Sequence, residues 1–426
     1  MNTGKRLTKV AQLSGIIIWL FSSCAPVLAE PSEPIPDSST RITPSSQPTV
    51  AETQLPELEV DLVVAGEMEV IFDWSSDRCE DEQIPDLAAR AFRDSRERIN
   101  LFISNPSTTR LVGEDLNSLT PECEPLMESQ KDPDPAKFRD NEWISSIYTE
   151  DGQTLYALVH NEYQGHTHPG QCPQNDYFSC WYNSVTQFIS IDSGATFGPI
   201  RDVPDHLVAA PPVQYEPGQG PYGMRSPSNI IKGPGDYYYA FLSYHGVNSN
   251  PQQVCLMRTN DLTDPGSWRF WNGNGFEGQF SDPYSGTIEG EMVRTCPPLA
   301  PNEIGSSLYE SVTFNTYLNR YVLIGISADQ IDGREVWGFY FSTSADLINW
   351  SRRKLIMEVP LPWTVEFPGS ELSFLYPSLL DPDSQSRNFE TSDDQAYLYF
   401  TRNNFGHASL DRDLVRVPVQ FIHSDK

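Results

Sequence analysis

Residues 238–244 read YYAFLSY, and four other segments carry a similar short run of aromatic and aliphatic residues. The other four are INLFIS at 99–104, LYALVH at 155–160, YVLIGIS at 321–327 and YLYFTR at 397–402. These runs lack helical spacing and are rich in β-branched and aromatic residues, which is typical of buried strands. Their regular recurrence along the chain indicates a repeated β unit.

Each run is flanked by strand-like sequence on both sides. The preceding strands are predicted at 90–92, 142–148, 228–232, 309–315 and 374–380, and the following ones at 110–113, 185–191, 253–259, 336–344 and 414–421. Five small antiparallel sheets that must bury both faces predict an all-β, five-bladed β-propeller over residues 58–426. We expect 60–72 to complete the last blade. A β-sandwich plus a second domain is the alternative, and one helix is predicted at 87–98.

The turn SIDSGATF at 190–197 fits the Asp-box pattern S-x-D-x-G-x-T-F at every defined position. Gly194 permits a positive φ angle, because it has no Cβ. The Asp192 carboxylate can accept hydrogen bonds from its own turn, and Phe197 can pack beneath it. The pattern predicts a rigid turn after an outer strand.

A second turn, STSADLINW at 342–350, is similar to the S-x-S-x-D-L-x-N-W turn of five-bladed glycosidases, and RTNDL at 258–262 is a third variant. With the repeat, these turns make residues 75–421 resemble the sialidase and five-bladed glycosidase superfamily. That superfamily includes the arabinanase- and xylosidase-type hydrolases of family 43 and the fructosidases of family 32. The resemblance implies the propeller fold, whereas activity has to be argued from the site.

Candidate catalytic residues lie where the inner strands begin, because in a propeller these positions converge on one face. Glycoside hydrolysis needs two carboxyl groups, one of them held protonated. The resemblance to family 43 implies an Asp base in the first blade, and Asp86 occupies a compatible place as base or nucleophile. Glu310 is the predicted general acid, with Glu142 and Glu162 as alternatives.

Glu162 and His160 come instead from the second strand of the second blade, which is expected to reach the same rim. Further residues are predicted to bind substrate, the arginines through bidentate hydrogen bonds. They are Arg90, Arg93, His160, Arg225, Tyr309 and Tyr376. Trp181 and Tyr182 are either an aromatic sugar platform or core. We predict no metal site at His160, His166 and His168, because two more ligands of suitable geometry are needed. No cofactor is expected, although a structural Ca²⁺ is left open.

The N-terminus is predicted to be a signal peptide over 1–23, with bases at Lys5, Arg6 and Lys9 before the apolar run 13–21. Two cleavage sites compete. The stretch 20–24 (LFSSC) resembles a lipobox that would place a lipid on Cys24, and Ala29 precedes an ordinary cleavage site. Residues 24–57 are rich in Pro, Ser, Thr and Glu and predict a disordered tether. We therefore expect an exported protein, either a periplasmic or cell-surface (outer-membrane) lipoprotein held only by its lipid or a soluble secreted form.

Seven cysteines support this interpretation, because removing Cys24 leaves an even set. Six cysteines in an exported chain imply disulfides, and they allow 15 pairings. The pairing of neighbours closes the shortest loops and is preferred: Cys79–Cys123, Cys172–Cys180 and Cys255–Cys296.

The net charge of −29 excludes nucleic acid as a partner, which requires the opposite sign. A glycan is the expected partner, and we expect a monomer. The predicted function is an exported glycoside hydrolase-like protein acting on a glycan in the propeller funnel. The alternatives are a non-catalytic glycan-binding propeller and a polysaccharide lyase that uses His160 or Tyr163 as base.

Overall fold

The computed structural model describes residues 59–247, 252–286, 295–365, 372–406 and 409–423. The predicted signal peptide, Cys24 and the predicted tether lie outside these ranges. Nearly all regular structure in the described residues is β-strand. The exceptions are one helical turn, α1 (Trp74–Asp77), and four 3-10 turns at Pro135–Lys137, Gly165–Thr167, Pro234–Asp236 and Pro265–Ser267. None of these helices is long or apolar enough to cross a membrane.

The described chain begins with two strands, β1 (Val60–Val64) and β2 (Glu69–Phe72), which belong to the last sheet described below. The first sheet follows as four antiparallel strands in chain order. Its strands are β3 (Ala91–Arg93), β4 (Ile99–Ile103), β5 (Thr109–Gly113) and β6 (Thr120–Glu122).

The second and third sheets are joined where β12 runs parallel to β9. The strands of the second sheet are β7 (Asn141–Tyr148), β8 (Leu155–Gln164), β9 (Trp181–Ser190), β10 (Gly198–Pro199) and β11 (Leu207–Ala209). Those of the third are β12 (Tyr222–Arg225), β13 (Ile231–Lys232), β14 (Tyr238–His245), β15 (Gln253–Thr259) and β16 (Arg269–Phe270).

The fourth sheet contains β17 (Ser311–Asn315), β18 (Arg320–Ile331), β19 (Arg334–Ser344) and β20 (Lys354–Glu358). The last sheet contains β21 (Ser373–Leu380), then β23 (Gln395–Asn403) and β24 (Arg412–His423). Between them β22 (Thr391–Ser392) runs beside β17 of the fourth sheet. β1 pairs with β24 in antiparallel register from Val60 opposite His423 to Val64 opposite Val419, so the predicted contribution of 60–72 to the last sheet is confirmed.

Each of the five aromatic runs that mark the repeat lies in the strand that pairs with the inner strand of its sheet. These strands are β4, β8, β14, β18 and β23. The predicted helix at 87–98 is wrong, because β3 occupies its centre. Ala91 packs in the core shared with the last sheet, and the next residue, Phe92, packs in the core shared with the second sheet. Alternation between two cores requires a strand, in which successive side chains point to opposite faces.

Apolar cores lie between successive sheets. Sheets one and two share Phe102 and Val159, and sheets two and three share Leu158 and Leu242. Phe241 and Leu323 lie in the core between the third and fourth sheets. Phe339 and Phe400 lie in the core between the fourth and last sheets, and Tyr399 and Leu101 in the core between the last and first sheets. Each sheet therefore packs against two others.

Hydrogen bonds also tie each sheet to the next near the inner strands. They run from Arg90 Nε to Ser145 O (2.9 Å), from Ser145 Oγ to Pro227 O (2.8 Å), from Asn229 Nδ2 to Val312 O (2.8 Å), from Leu379 N to Ser311 Oγ (3.2 Å) and from Thr401 Oγ1 to Pro85 O (2.8 Å). The inner strands are thereby fixed relative to one another, which positions the residues at their ends.

The three preferred disulfides are all present: Cys79–Cys123, Cys172–Cys180 and Cys255–Cys296. The turn at 190–197 also has the hydrogen bonds expected from its residues. Asp192 Oδ1 accepts from Ala195 N (3.1 Å) and Thr196 N (3.0 Å), and Gly194 has φ +78°. Phe197 is buried in the core between the first two sheets.

Candidate active site

Charged and phenolic side chains from all five sheets lie at one end of the inner strands, each within electrostatic reach of at least one other. We call this region the hollow, and its members are Asp86, Glu162, Tyr177, Arg225, Tyr309, Glu310, Tyr376 and Arg412. Six of them are surrounded by protein and yet keep part of their surface accessible: Asp86, Tyr177, Arg225, Tyr309, Glu310 and Tyr376. The hollow is therefore open to solvent.

Asp86 lies just before the first sheet, where its backbone N–H donates to Ser104 O at 3.0 Å. Its Oδ1 forms an ion pair with Arg412 Nη1 and accepts a hydrogen bond from the Tyr376 hydroxyl at 3.3 Å. Tyr376 has φ +58° at an irregularity in the pairing of β21. Burial raises the pKa of Tyr376 well above its usual value, so its hydroxyl stays protonated and can donate.

Glu310 immediately precedes β17 and lies beside Gly325, the residue of β18 that has no side chain to exclude it. Its Oε2 accepts a hydrogen bond from Ile326 N at 2.6 Å. Burial raises the pKa of Glu310 to about 8, because the surrounding protein disfavours the charged form. Because Oε2 accepts this hydrogen bond, the neutral acid carries its proton on Oε1.

Glu162 near the end of β8 is held by two neighbours on its own strand. Its Oε1 lies 3.0 Å from His160 Nε2, and its Oε2 accepts from Gln164 Nε2 at 2.9 Å. His160 is almost fully buried beneath Trp143, at a ring-centre separation of 5.9 Å. This geometry favours a role for His160 in orienting Glu162 over the predicted contact with substrate.

Arg225 at the end of β12 stacks on Trp181, with its guanidinium carbon 4.6 Å from the ring centre. Its buried Nε has no hydrogen-bond partner among the described residues. Burial lowers the pKa of Arg225, and the nearby Glu162 carboxylate opposes this shift. Arg225 as a whole keeps part of its surface accessible. Its neighbour Trp181 is partly accessible too, whereas Tyr182 is fully buried core.

Glu142 lies outside the hollow. It is buried on the same side of β7 as Ile144, which faces the core between the first two sheets. Its Oε1 accepts from Arg139 Nε at 2.6 Å, and burial raises the pKa of Glu142 to about 7. Because the Glu142 carboxylate is engaged by Arg139 inside a sheet interface, the geometry favours Glu310 over Glu142 as a catalytic group.

Arg90 and Arg93 lie outside the hollow. Arg90 is buried and donates to backbone carbonyls, including Ser145 O at 2.9 Å and Glu310 O at 2.6 Å, so it holds strands together beneath the hollow. Arg93 pairs with Ile99 at the opposite end of the first sheet and donates to Ser386 O at 2.7 Å. The contacts of both guanidinium groups favour a structural role over the predicted binding of substrate.

The inner strands of all five sheets line a narrow cavity beneath the hollow. The segment 381–394, between β21 and β23, crosses its far end. Arg93, Thr149 and Lys232 each bond to it, from three different sheets: Arg93 Nη1 to Ser386 O (2.7 Å), Thr149 N to Asn388 Oδ1 (2.8 Å) and Lys232 N to Glu390 Oε2 (3.1 Å). This segment covers the end opposite to the hollow.

Sequence reasoning missed Tyr177 and Arg412. Arg412 begins an outer strand, β24, whereas the predicted candidates lie near the starts of inner strands or, for His160 and Glu162, on the second strand of the second sheet. Tyr177 lies in the loop closed by Cys172–Cys180, a segment without strand character. The cysteine spacing was the one signal that marked this loop.

No three or more His, Cys, Asp or Glu side chains of the described residues are grouped as metal ligands. His168 lies 3.0 Å from Asp140 and stacks on Tyr163, whereas His166 contacts Tyr177. Tyr163, considered as a lyase base, is buried and donates to Pro133 O at 2.8 Å. It is therefore not exposed to the hollow.

No protein-family model and no curated protein sequence matches this chain. Several solved structures of glycoside hydrolases are similar in fold at low identity. A glycosyl hydrolase from Bacteroides ovatus is 11% identical with a TM-score of 0.43, over 86% of this chain and 96% of that one. An endo-arabinase from Bacteroides thetaiotaomicron is 11% identical with a TM-score of 0.45, over 84% and 99%. A family 117 glycoside hydrolase from Zobellia galactanivorans is 11% identical with a TM-score of 0.44, over 87% and 93%.

Proposed function

We propose that residues 58–426 form a five-bladed β-propeller and that the protein is a glycoside hydrolase acting on a glycan in the hollow. The five cores between successive sheets support the ring, because the last of them joins the final sheet to the first. The pairing of β1 with β24 supports closure of that ring.

The observation that carries the chemistry is the pair of carboxyl groups with different surroundings. Glu310, whose pKa is raised to about 8, is neutral at pH 7 and serves as general acid. It protonates the glycosidic oxygen while the bond from that oxygen to the anomeric carbon breaks. Asp86 is paired with Arg412 and acts as base toward water or as nucleophile. Glu162 is the alternative partner for this second role.

The sugar-binding groups in this proposal are Arg225, Tyr309 and Tyr376. Arg225 is a partly accessible cation that stacks on Trp181, and the Tyr376 hydroxyl donates to Asp86. Three disulfides support an oxidising compartment, in keeping with export. We propose a monomer, anchored through a lipid on Cys24. Mass spectrometry of the membrane fraction tests the anchor, and the Cys24→Ala variant should lose it.

The direct test is release of reducing ends from a glycan panel that includes arabinan, with wild type and Asp86→Asn side by side. We expect the wild type to release sugar from at least one glycan, and Asp86→Asn to lose most of that rate. The rate should fall as pH rises through about 8, because Glu310 loses its proton. A wild-type enzyme inactive on the whole panel, or an unimpaired Asp86→Asn variant, would refute the assignment.

A non-catalytic glycan-binding propeller is the second candidate. The observation that favours it concerns Asp86, whose Oδ1 is engaged by both Arg412 and Tyr376. Such contacts are also what a purely structural carboxylate would make. This candidate predicts binding to a panel glycan without any product, by wild type and Asp86→Asn alike.

A further inference from the structure

The loop between β8 and β9 is closed by the Cys172–Cys180 disulfide and projects Tyr177 into the hollow. The Tyr177 ring lies 4.9 Å from Trp181 and 5.1 Å from His166, measured between ring centres. Trp181 in turn contacts Arg225, whose guanidinium carbon lies 4.6 Å from the ring centre. Trp181 therefore links Tyr177 to Arg225.

Tyr177 lies close to two carboxyl groups of the hollow, those of Glu162 and Asp86. Its hydroxyl interacts electrostatically with Glu162, Asp86, Arg225 and Arg412, which belong to four different parts of the fold. Burial raises the pKa of Tyr177, so the neutral hydroxyl can donate as well as accept. The ring nevertheless keeps part of its surface accessible, whereas Phe178 beside it is 60% exposed.

The loop is fastened at its base. Gly165 N donates to Cys180 O at 2.9 Å, Gly218 N donates to Ser179 O at 2.8 Å, and the Tyr215 hydroxyl donates to Gln171 O at 2.7 Å. Cys180 is fully buried. The segment 173–178 between these anchors contains no strand, and the disulfide joins the residues on either side of it.

We propose that the loop 172–180 is a wall of the substrate site, in which Tyr177 hydrogen-bonds the glycan and Phe178 stacks on a sugar ring, and that the Cys172–Cys180 disulfide holds both in place. This inference rests on the proposed glycan-hydrolysing function. It adds a specificity-determining residue that the inner-strand positions do not include. Because Tyr177 contacts the ligand and not the transferred proton, its loss weakens binding more than it slows the bond-breaking step.

The test is steady-state kinetics on a hydrolysed panel glycan, with Tyr177→Ala, Tyr177→Phe and a Cys172→Ser/Cys180→Ser double variant. We expect KM to rise about tenfold for Tyr177→Ala and for the double variant, with kcat changed by less than about threefold. Tyr177→Phe, which keeps the ring over Trp181, should recover part of the affinity. Thermal melting confirms that each variant is folded. If Tyr177→Ala does not fold, the KM of Tyr177→Phe is used to test the role of the Tyr177 hydroxyl.

Two matched controls separate this role from general stability. The Cys79→Ser/Cys123→Ser variant removes a disulfide of the first sheet, and Tyr317→Phe changes an exposed tyrosine next to β17. Both should keep the wild-type KM. Unchanged KM in Tyr177→Ala and in the Cys172–Cys180 variant overturns the inference and leaves the proposed function standing. If the wild type neither hydrolyses nor binds any panel glycan, as judged by calorimetry, the proposed function fails and the inference falls with it.

Discussion

Asp86 and Arg412 form an ion pair between residues 326 positions apart in the sequence. Asp86 lies just before the first sheet, and Arg412 opens the outer strand of the last one. The pair therefore joins the beginning and the end of the repeat at the mouth of the hollow. It fixes the carboxylate that we assign as base.

Replacing Arg412 by Gln should lower the hydrolytic rate by roughly 10- to 100-fold, because Asp86 loses the charge that orients it. The measurement is kcat/KM on a panel glycan that the wild type cleaves. Arg110→Gln is the matched control, because Arg110 is also a buried arginine in an ion pair, with Glu122 on outer strands. Equal losses in both variants would indicate a general effect of removing a buried arginine.

The stability of the protein should decline between about pH 7 and pH 9. Below that range, buried His206 and His245, whose pKa burial lowers to about 4 and about 3, act in the opposite direction. Among the carboxyl groups whose pKa is raised in the folded state, the largest values are about 8 for Glu310 and about 7 for Glu142 and Glu390. Their protons stabilise the fold fully below the unfolded pKa, near 4.5, and this contribution is lost as pH rises through 7–8. Urea unfolding across this range should show a smaller decline for Glu310→Gln. An identical decline would contradict the raised pKa.

Removal of the first strand should destabilise the last sheet. Val60 and Leu62 of β1 are buried in the core between the fourth and last sheets, and Val60 O accepts from Lys354 Nζ at 2.8 Å. A chain that starts at residue 66 should melt on the order of 10 °C lower than one that starts at 59, because it loses two core side chains and a paired strand. Equal melting temperatures would show that β1 does not close the ring.

Gly194→Ala should destabilise the protein more than Gly170→Ala. Both glycines have a positive φ, +78° and +82°, which costs an L-residue roughly 1–2 kcal/mol. A Cβ at 194 would also lie 2.8 Å from the Phe92 ring, whereas at 170 it would meet no atom within 4 Å. Chemical denaturation of the two variants measures the difference. An equal effect would mean that the Phe92 ring moves aside freely.

The fold was more predictable from the sequence than the site. Strand positions follow from local patterns of aromatic and β-branched residues, so the run at 238–244 identifies β14 directly. The prediction of a helix at 87–98 was wrong because Ala89 and Ala91 pack in one core and Phe92 packs in another. These two cores exist only once the sheets have assembled. Disulfide pairing followed loop length and was predicted in full.

Site residues were predicted by position along the chain, which says nothing about the direction of a side chain. Glu142 and Glu162 are both acidic residues at ends of strands in the second sheet, but Glu142 points into an interface and Glu162 into the hollow. Similarly, Arg90 and Arg225 differ in what their guanidinium groups contact. Such differences arise from tertiary packing, which the sequence pattern does not encode locally.

The most direct test compares Glu310→Gln with Glu142→Gln in the same reducing-end assay. Both carboxyls are shielded by protein and have a raised pKa, but only Glu310 lies in the hollow. The proposed mechanism predicts a loss of roughly 10²- to 10⁴-fold in rate for Glu310→Gln and a near-wild-type rate for folded Glu142→Gln. A fully active Glu310→Gln enzyme, or equal losses in the two variants, would contradict it.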